Sequence, residues 1–174
     1  MITIQEATLK DIDLIRAIAE KTWFVTYGQI LSSEQMDYMF DRMYSVKSIT
    51  SQITEDNHHF FIAWLEEKPL GYVSVQQQEE DLFHLQKLYI IPEGQGQGVG
   101  RLLFNRATDF AKEKAKGKIF ALELNMNRSN KARYFYEKMG MHISEVGDFD
   151  IGNGYYMNDY IFRIEFPASP TGNH

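Results

Sequence analysis

The sequence predicts a single-domain α/β protein of the α+β kind, with a mixed, mostly antiparallel central sheet of about seven strands and helices on both faces. Three observations lead there. Apolar spacing switches repeatedly between a period near 3.6 and a period of two, in the order strand, two or three helices, three strands, helix, strand, helix, two strands. The chain has 174 residues, 44% hydrophobic and 24% charged, which suits one compact domain. A glycine-rich turn, Gly94, Gly96, Gly98 and Gly100, joins a β-branched run to an apolar helical run.

The elements follow in order. Residues 2–6 alternate apolar and polar as a strand does, and Thr8 with Asp11 has capping-box spacing. The helix after it, running to about Trp23, carries Leu14, Ile15, Ile18 and Ala19 on one face. A loop over 24–31 leads to Ser32 and Gln35, a second capping pair, then to a stripe of Met36, Met39, Phe40 and Met43. Val46, Ile49 and Ile53 mark a short third helix. From His59 the period becomes two, giving a hairpin turned at Glu66 to Pro69 and a third strand over 81–91. A helix over 98–114 is expected to bury Leu102, Leu103, Phe104, Ala107 and Phe110, and Gly117 ends it. The near-continuous apolarity of 118–124 predicts a strand covered on both faces. A helix over 130–138 stops at Gly140, and two antiparallel strands close the domain, which spans 1–166. Residues 167–174 carry proline, glycine and polar groups with nothing to bury, and read as a disordered tail.

A net charge of −6 and the lack of a basic face argue against nucleic acid. No apolar run is long enough to span a bilayer and no leader is visible, so no membrane partner is expected. With no cysteine there is no disulfide framework, thiol nucleophile or cysteine zinc site. The cytoplasm is the expected compartment, and no metal is called for.

Offsets decide what the glycines can be. A P-loop counted from Gly94 would put its second glycine and its lysine where Val99 and Gly100 stand. A dinucleotide fingerprint would need its third glycine where Val99 or Arg101 stands. What remains is Gln95-Gly96-Gln97-Gly98-Val99-Gly100-Arg101, Q-x-x-G-x-G, after a strand and at a helix start. Backbone N–H groups free of Cβ obstruction, backed by a helix dipole, can close on a diphosphate; a plain flexible turn is the competing reading.

This segment resembles the acetyl-CoA signature of the GNAT family of N-acetyltransferases. A second segment agrees with that family's pattern: Leu122, Leu124, Ala132, Phe135, Tyr136, Lys138 and Gly140 match in order, with Met141 in place of a phenylalanine. The look is closest to the bacterial spermidine/spermine type. The resemblance implies acetyl-CoA as donor, held by residues 95–101 and by the main chain of Leu88, Tyr89 and Ile90. It also implies that Tyr136 lies at the thiol end, where its hydroxyl can protonate the departing thiolate. The family's usual asparagine falls on Ser129, leaving Asn127 and Asn130 beside it; each can cap the helix or contact the cofactor, and Asn127 and Asn130 are favoured.

The acceptor side is less defined. The strand before the loop has no carboxylate between Asp81 and Glu93, so His84 is the candidate base, against the plain alternative of a half-exposed strand histidine. Gln86 shares its face by alternation. Trp23, Phe24 and Tyr27 cluster in a supposed loop and either line the acceptor pocket or plug the sheet. The expected partner is a small-molecule primary amine, with a polyamine as one option and a homodimer as an open assembly. A peptide or protein amine stays open. So does a non-catalytic acyl-CoA sensor, which the missing strand carboxylate favours.

Overall fold

The computed structural model describes residues 1–169. Seven strands form one sheet in the order β1-β2-β3-β4-β5-β7-β6. In chain order these are β1 (Ile2–Glu6), β2 (His58–Leu65), β3 (Lys68–Glu79), β4 (Leu82–Ile90), β5 (Phe120–Asn127), β6 (His142–Gly152) and β7 (Tyr155–Phe166). The helices are α1 (Ile12–Tyr27), α2 (Ser33–Tyr44), α3 (Val46–Thr54), α4 (Val99–Ala115) and α5 (Arg133–Lys138). Every neighbouring pair is antiparallel except β4 with β5. Both expected capping pairs form: the Thr8 N–H donates to Asp11 at 2.9 Å, and the Gln35 N–H donates to Ser32 Oγ at 3.1 Å.

The sheet separates two apolar layers. On one face Ile15, Ile18, Trp23, Tyr44 and Ile49, from α1 to α3, pack with Phe60, Ile62 and Tyr72. On the other, Leu103, Ala107 and Phe110 of α4 pack with Phe61, Val73, Val75 and Phe83, while Leu102, expected on this side, is exposed because it lies off the buried stripe. These are alternate residues of β2 and β3, as a sheet covered on both sides requires.

One expectation fails at the end of α1. The supposed loop after Trp23 is helix as far as Tyr27, where the Gly28 N–H bonds the Phe24 carbonyl at 3.0 Å. Trp23 and Tyr27 are one turn apart, so they continue the buried stripe, and their rings lie 4.5 Å apart. Aromatic density was the correct signal of burial but not of a loop. Of the tail expected over 167–174, residues 170–174 lie outside the described residues, while the Ser169 N–H donates to the Gly117 carbonyl at 2.9 Å.

Two departures from regular pairing open the sheet. Between Ser74/Val75 and their partners Lys87/Leu85 the β3–β4 register shifts, leaving Gln86 as an extra residue in β4. Then β4 pairs with β5 only from Leu82 to His84. Beyond His84 the two strands part, and the edge of β4 from Gln86 to Ile90 has no partner in β5. A wedge-shaped gap results in the middle of the sheet.

Candidate functional site

A cavity of about 560 Å³ occupies this gap. Leu85 to Ile90 form one wall and Leu124 to Met126 the other; Tyr27 and Thr22 of α1 cover one side, and Phe135 and Tyr136 of α5 the other. Because the sheet is open here, Tyr27 of α1 and Tyr136 of α5 line the same cavity.

The glycines after β4 have separate duties. A Cβ on Gly94 would stand 3.1 Å from Leu70 Cβ and Ile90 Cγ2, so this glycine lets the turn pack against the sheet. Gly96 and Gly98 have φ of +80° and +78°, the left-handed region, and nothing lies within 4 Å of where their Cβ atoms would be. They shape the loop and keep the space before it clear. Gly98 is also the N-cap of α4, with no side chain capping the helix, so the first N–H groups of Val99, Gly100 and Arg101 are available to an anion. Gly100 lines the cavity, and its Cβ would press on Phe135 and Ile90 at 3.2 Å. The stretch that reads as four similar glycines is thus two packing contacts and two open left-handed turns.

Tyr136 lies on the wall, 7% exposed, between Phe104 and Phe135. Burial, and secondarily Tyr27, push its pKa up, so the phenol keeps its proton over the physiological range. Asn127 and Asn130 both turn the chain ahead of α5, their Oδ1 atoms accepting from the N–H groups of Ser129 and Ala132 at 2.9 Å. Only Asn130 of the two reaches the wall.

The remaining expected residues divide. Gln86, Leu88, Tyr89, Ile90 and Gln95 line the cavity with Tyr27. Trp23 does not: it is 1% exposed and packs on Tyr27, Phe40 and Tyr44. Phe24 is a surface partner of Phe40, 5.8 Å away, and also lies off the wall. Both are corrected to structural residues, because α1 continues and turns Trp23 inward. His84 stands beside the cavity rather than on it. Its Nε2 meets Asn125 Oδ1 at 3.0 Å, so Nε2 carries the hydrogen and Nδ1 is the free nitrogen, buried and without a partner. Burial lowers its pKa, and the ring is neutral at pH 7.

Two ionisable groups escaped the sequence reading. Alternation from His84 and Gln86 puts Lys87 on the α4 face; the extra residue at Gln86 returns it to the face of His84. There it is 6% exposed, bonds Gln52 Oε1 at 3.0 Å and lies 4.4 Å over the Tyr44 ring. Burial lowers its pKa to about 7. Asp159 of β7 is 1% exposed and has one carboxylate oxygen, Oδ1, without a partner. Burial raises its pKa to about 6, against opposing effects of Asn125 and Arg128. It acts on Tyr27 and borders the site through Asn125, a wall residue. An acid alternating among apolar positions of a strand was the available signal.

Residues 29–150 match the family described as "Acetyltransferase (GNAT) domain". The chain is similar to the spermidine N(1)-acetyltransferase of Thermoplasma acidophilum, 23% identical over 154 residues, covering 86% of this chain and 93% of that one. Its fold is that of the PaiA N-acetyltransferase of the same organism, solved in complex with coenzyme A (TM-score 0.78, 23% identity, 95% and 99% of the two chains). It is also that of the ribosomal-protein-S18-alanine N-acetyltransferase of Escherichia coli (TM-score 0.71, 18% identity, 98% and 97%). The matched segment begins just after α1, takes in the glycine loop and both cavity walls, and covers well over half of the sequence: the chain belongs to the GNAT family of acetyltransferases.

Proposed function

We propose that this protein transfers the acetyl group of acetyl-CoA directly to the primary amine of a small molecule. The observation that carries the reading is the parting of β4 from β5, which joins a clear, left-handed glycine cradle to a cavity walled by unpaired strand edge. The residues present fit the donor. Gly96 and Gly98 hold open space before the uncapped start of α4, where N–H groups and the helix dipole receive a diphosphate. Acetyl-CoA supplies the thioester whose acetyl group is transferred. The free N–H groups of β4 between Gln86 and Ile90 can pair with an extended amide-bearing arm and polarise a carbonyl. Asn130, on the opposite wall, is the nearer of the two candidate asparagines for that arm.

Protons are handled by two groups of opposite poise. Tyr136, held protonated by burial, donates to the thiolate that leaves. Asp159, with a pKa of about 6 and a free oxygen, takes the proton that the ammonium must lose, in the role that His84 was expected to fill. With Asp159 as the base, the missing β4 carboxylate no longer favours a non-catalytic sensor. The Thermoplasma relative is named for spermidine, which supports a small-molecule amine as acceptor. The fold is shared with a transferase named for a ribosomal-protein alanine, so it does not choose among acceptors.

The test is thiol release from acetyl-CoA across a panel of polyamines, amino acids and peptides. Amine-dependent release that Gly98→Glu abolishes supports the reading. CoA binding with no release for any amine overturns the transferase in favour of the sensor.

A further inference from the structure

The cavity walls are unusual in charge for a polycation site: among the described residues they include two lysines, Lys87 and Lys131, and no aspartate or glutamate. Lys131 is exposed at the start of α5, whereas Lys87 is buried in the strand wall. Its ammonium has three N–H groups, and one side-chain acceptor, Gln52 Oε1 at 3.0 Å, meets it. The other groups packed around it carry no negative charge: the Tyr44 and Phe60 rings lie 4.4 and 5.7 Å from its Nζ. Ser74, its cross-strand neighbour, and Tyr72 are both fully buried with hydroxyls that lack a partner. Tyr44 and Tyr89 bond each other at 3.0 Å, and Tyr89 shares the wall with Lys87. His58, the other ionisable group acting in this corner, is driven neutral by burial and by Lys87 itself, its pKa lowered to about 4. No acid offsets the lysine; burial alone depresses its pKa.

A buried ammonium with one side-chain acceptor in contact and no carboxylate beside it lacks an anion. The acid that borders the cavity, Asp159, is two strands away across β5, at least ~10 Å by the spacing of strands. The site is therefore bipolar, acidic at the β7 side and basic at the β4 side.

The geometry points to Lys87, with Tyr89, as the anchor for a carboxylate on the acceptor, so that the amines acetylated are amino acids rather than polyamines. This rests on the transferase reading above. The amine end faces the Asn125–Asp159 side, and the acid end supplies the counter-ion that the chain itself lacks. A second ammonium placed there would instead meet a desolvated lysine, a like-charge contact that selects against diamines.

The experiment compares acceptors matched in length, 4-aminobutyrate with putrescine and 5-aminopentanoate with cadaverine, by thiol release under saturating acetyl-CoA. The amino acid of each pair should have a kcat/KM at least about tenfold higher, as one charge-assisted contact implies. Lys87→Met, which keeps the bulk without the charge, should raise KM for amino acids and bring the ratio towards one. Faster turnover of the diamines by the wild-type enzyme, or a ratio that Lys87→Met leaves intact, overturns this proposal and leaves the transferase standing. Silence with every amine while CoA still binds overturns both.

Discussion

Replacing Gly98 by alanine tests whether the loop before α4 is an anion cradle. At φ +78° an alanine carries the left-handed strain of an L residue, roughly 1–2 kcal/mol. In a chain of this size that lowers Tm by about 2–8 °C. No steric penalty is added, because nothing lies within 4 Å of the new methyl group. That empty space is where a diphosphate must approach, so the methyl should break one charge-assisted N–H contact, worth about 1.5–3 kcal/mol, and weaken CoA binding about 10- to 150-fold. Gly98→Asn separates the two effects: asparagine tolerates this backbone region better, so more stability returns while the obstruction stays. Titration calorimetry with CoA and thermal unfolding of both variants provide the readouts. If both bind CoA within about threefold of the wild type, well under one lost contact, the cradle assignment is wrong.

Three further outcomes are expected. Tyr136→Phe should lower kcat by about 100-fold or more while leaving CoA affinity nearly unchanged; loss of binding or of folding would make Tyr136 a packing residue only. Asp159 has a folded pKa of about 6, above its ordinary 3.8, so its contribution to stability is full below pH 3.8 and lost as pH rises through 6. Asp159→Asn should therefore raise Tm at pH 8 while slowing turnover and removing the acidic limb of the rate profile near pH 6; an unchanged limb would assign it to another group. Trp23→Phe should lower stability by about 1–3 kcal/mol without altering relative rates among acceptors, since Trp23 is core; altered selectivity would return it to the pocket.

The residues proposed for the donor are more legible in the sequence than those proposed for the acceptor. Gln95, Gly98 and Gly100 lie within one short segment, and their meaning depends on local offsets from a strand end and a helix start, both visible in the residue pattern. The place of Tyr136 on the cavity wall follows in the same way, from its register on one short helix. The acceptor half depends on which residues of distant strands share a face. Asp159 meets Asn125 only because β7 returns beside β5, a pairing no local pattern encodes. Lys87 was hidden by counting in twos along β4. Trp23 and Phe24 were misplaced because aromatic residues extend a helix stripe as readily as they fill a loop, and the boundary of α1 lay between those readings.

The extra residue at Gln86 has a consequence for tolerance to mutation. Before it, Phe83 and Leu85 face α4; after it Leu88 does, while Lys87 and Tyr89 face α1 to α3. A saturation scan along β4 should thus show the alternation of permissive and restrictive positions reversing phase at Gln86, with polar residues rejected at 83, 85 and 88. Deleting that one residue would restore a single phase, with Lys87 still facing α1 to α3, and draw β4 towards regular pairing. The gap in the sheet is in this sense a frameshift within a strand, an alteration of one residue that separates a wall-building segment from a slot-lining one.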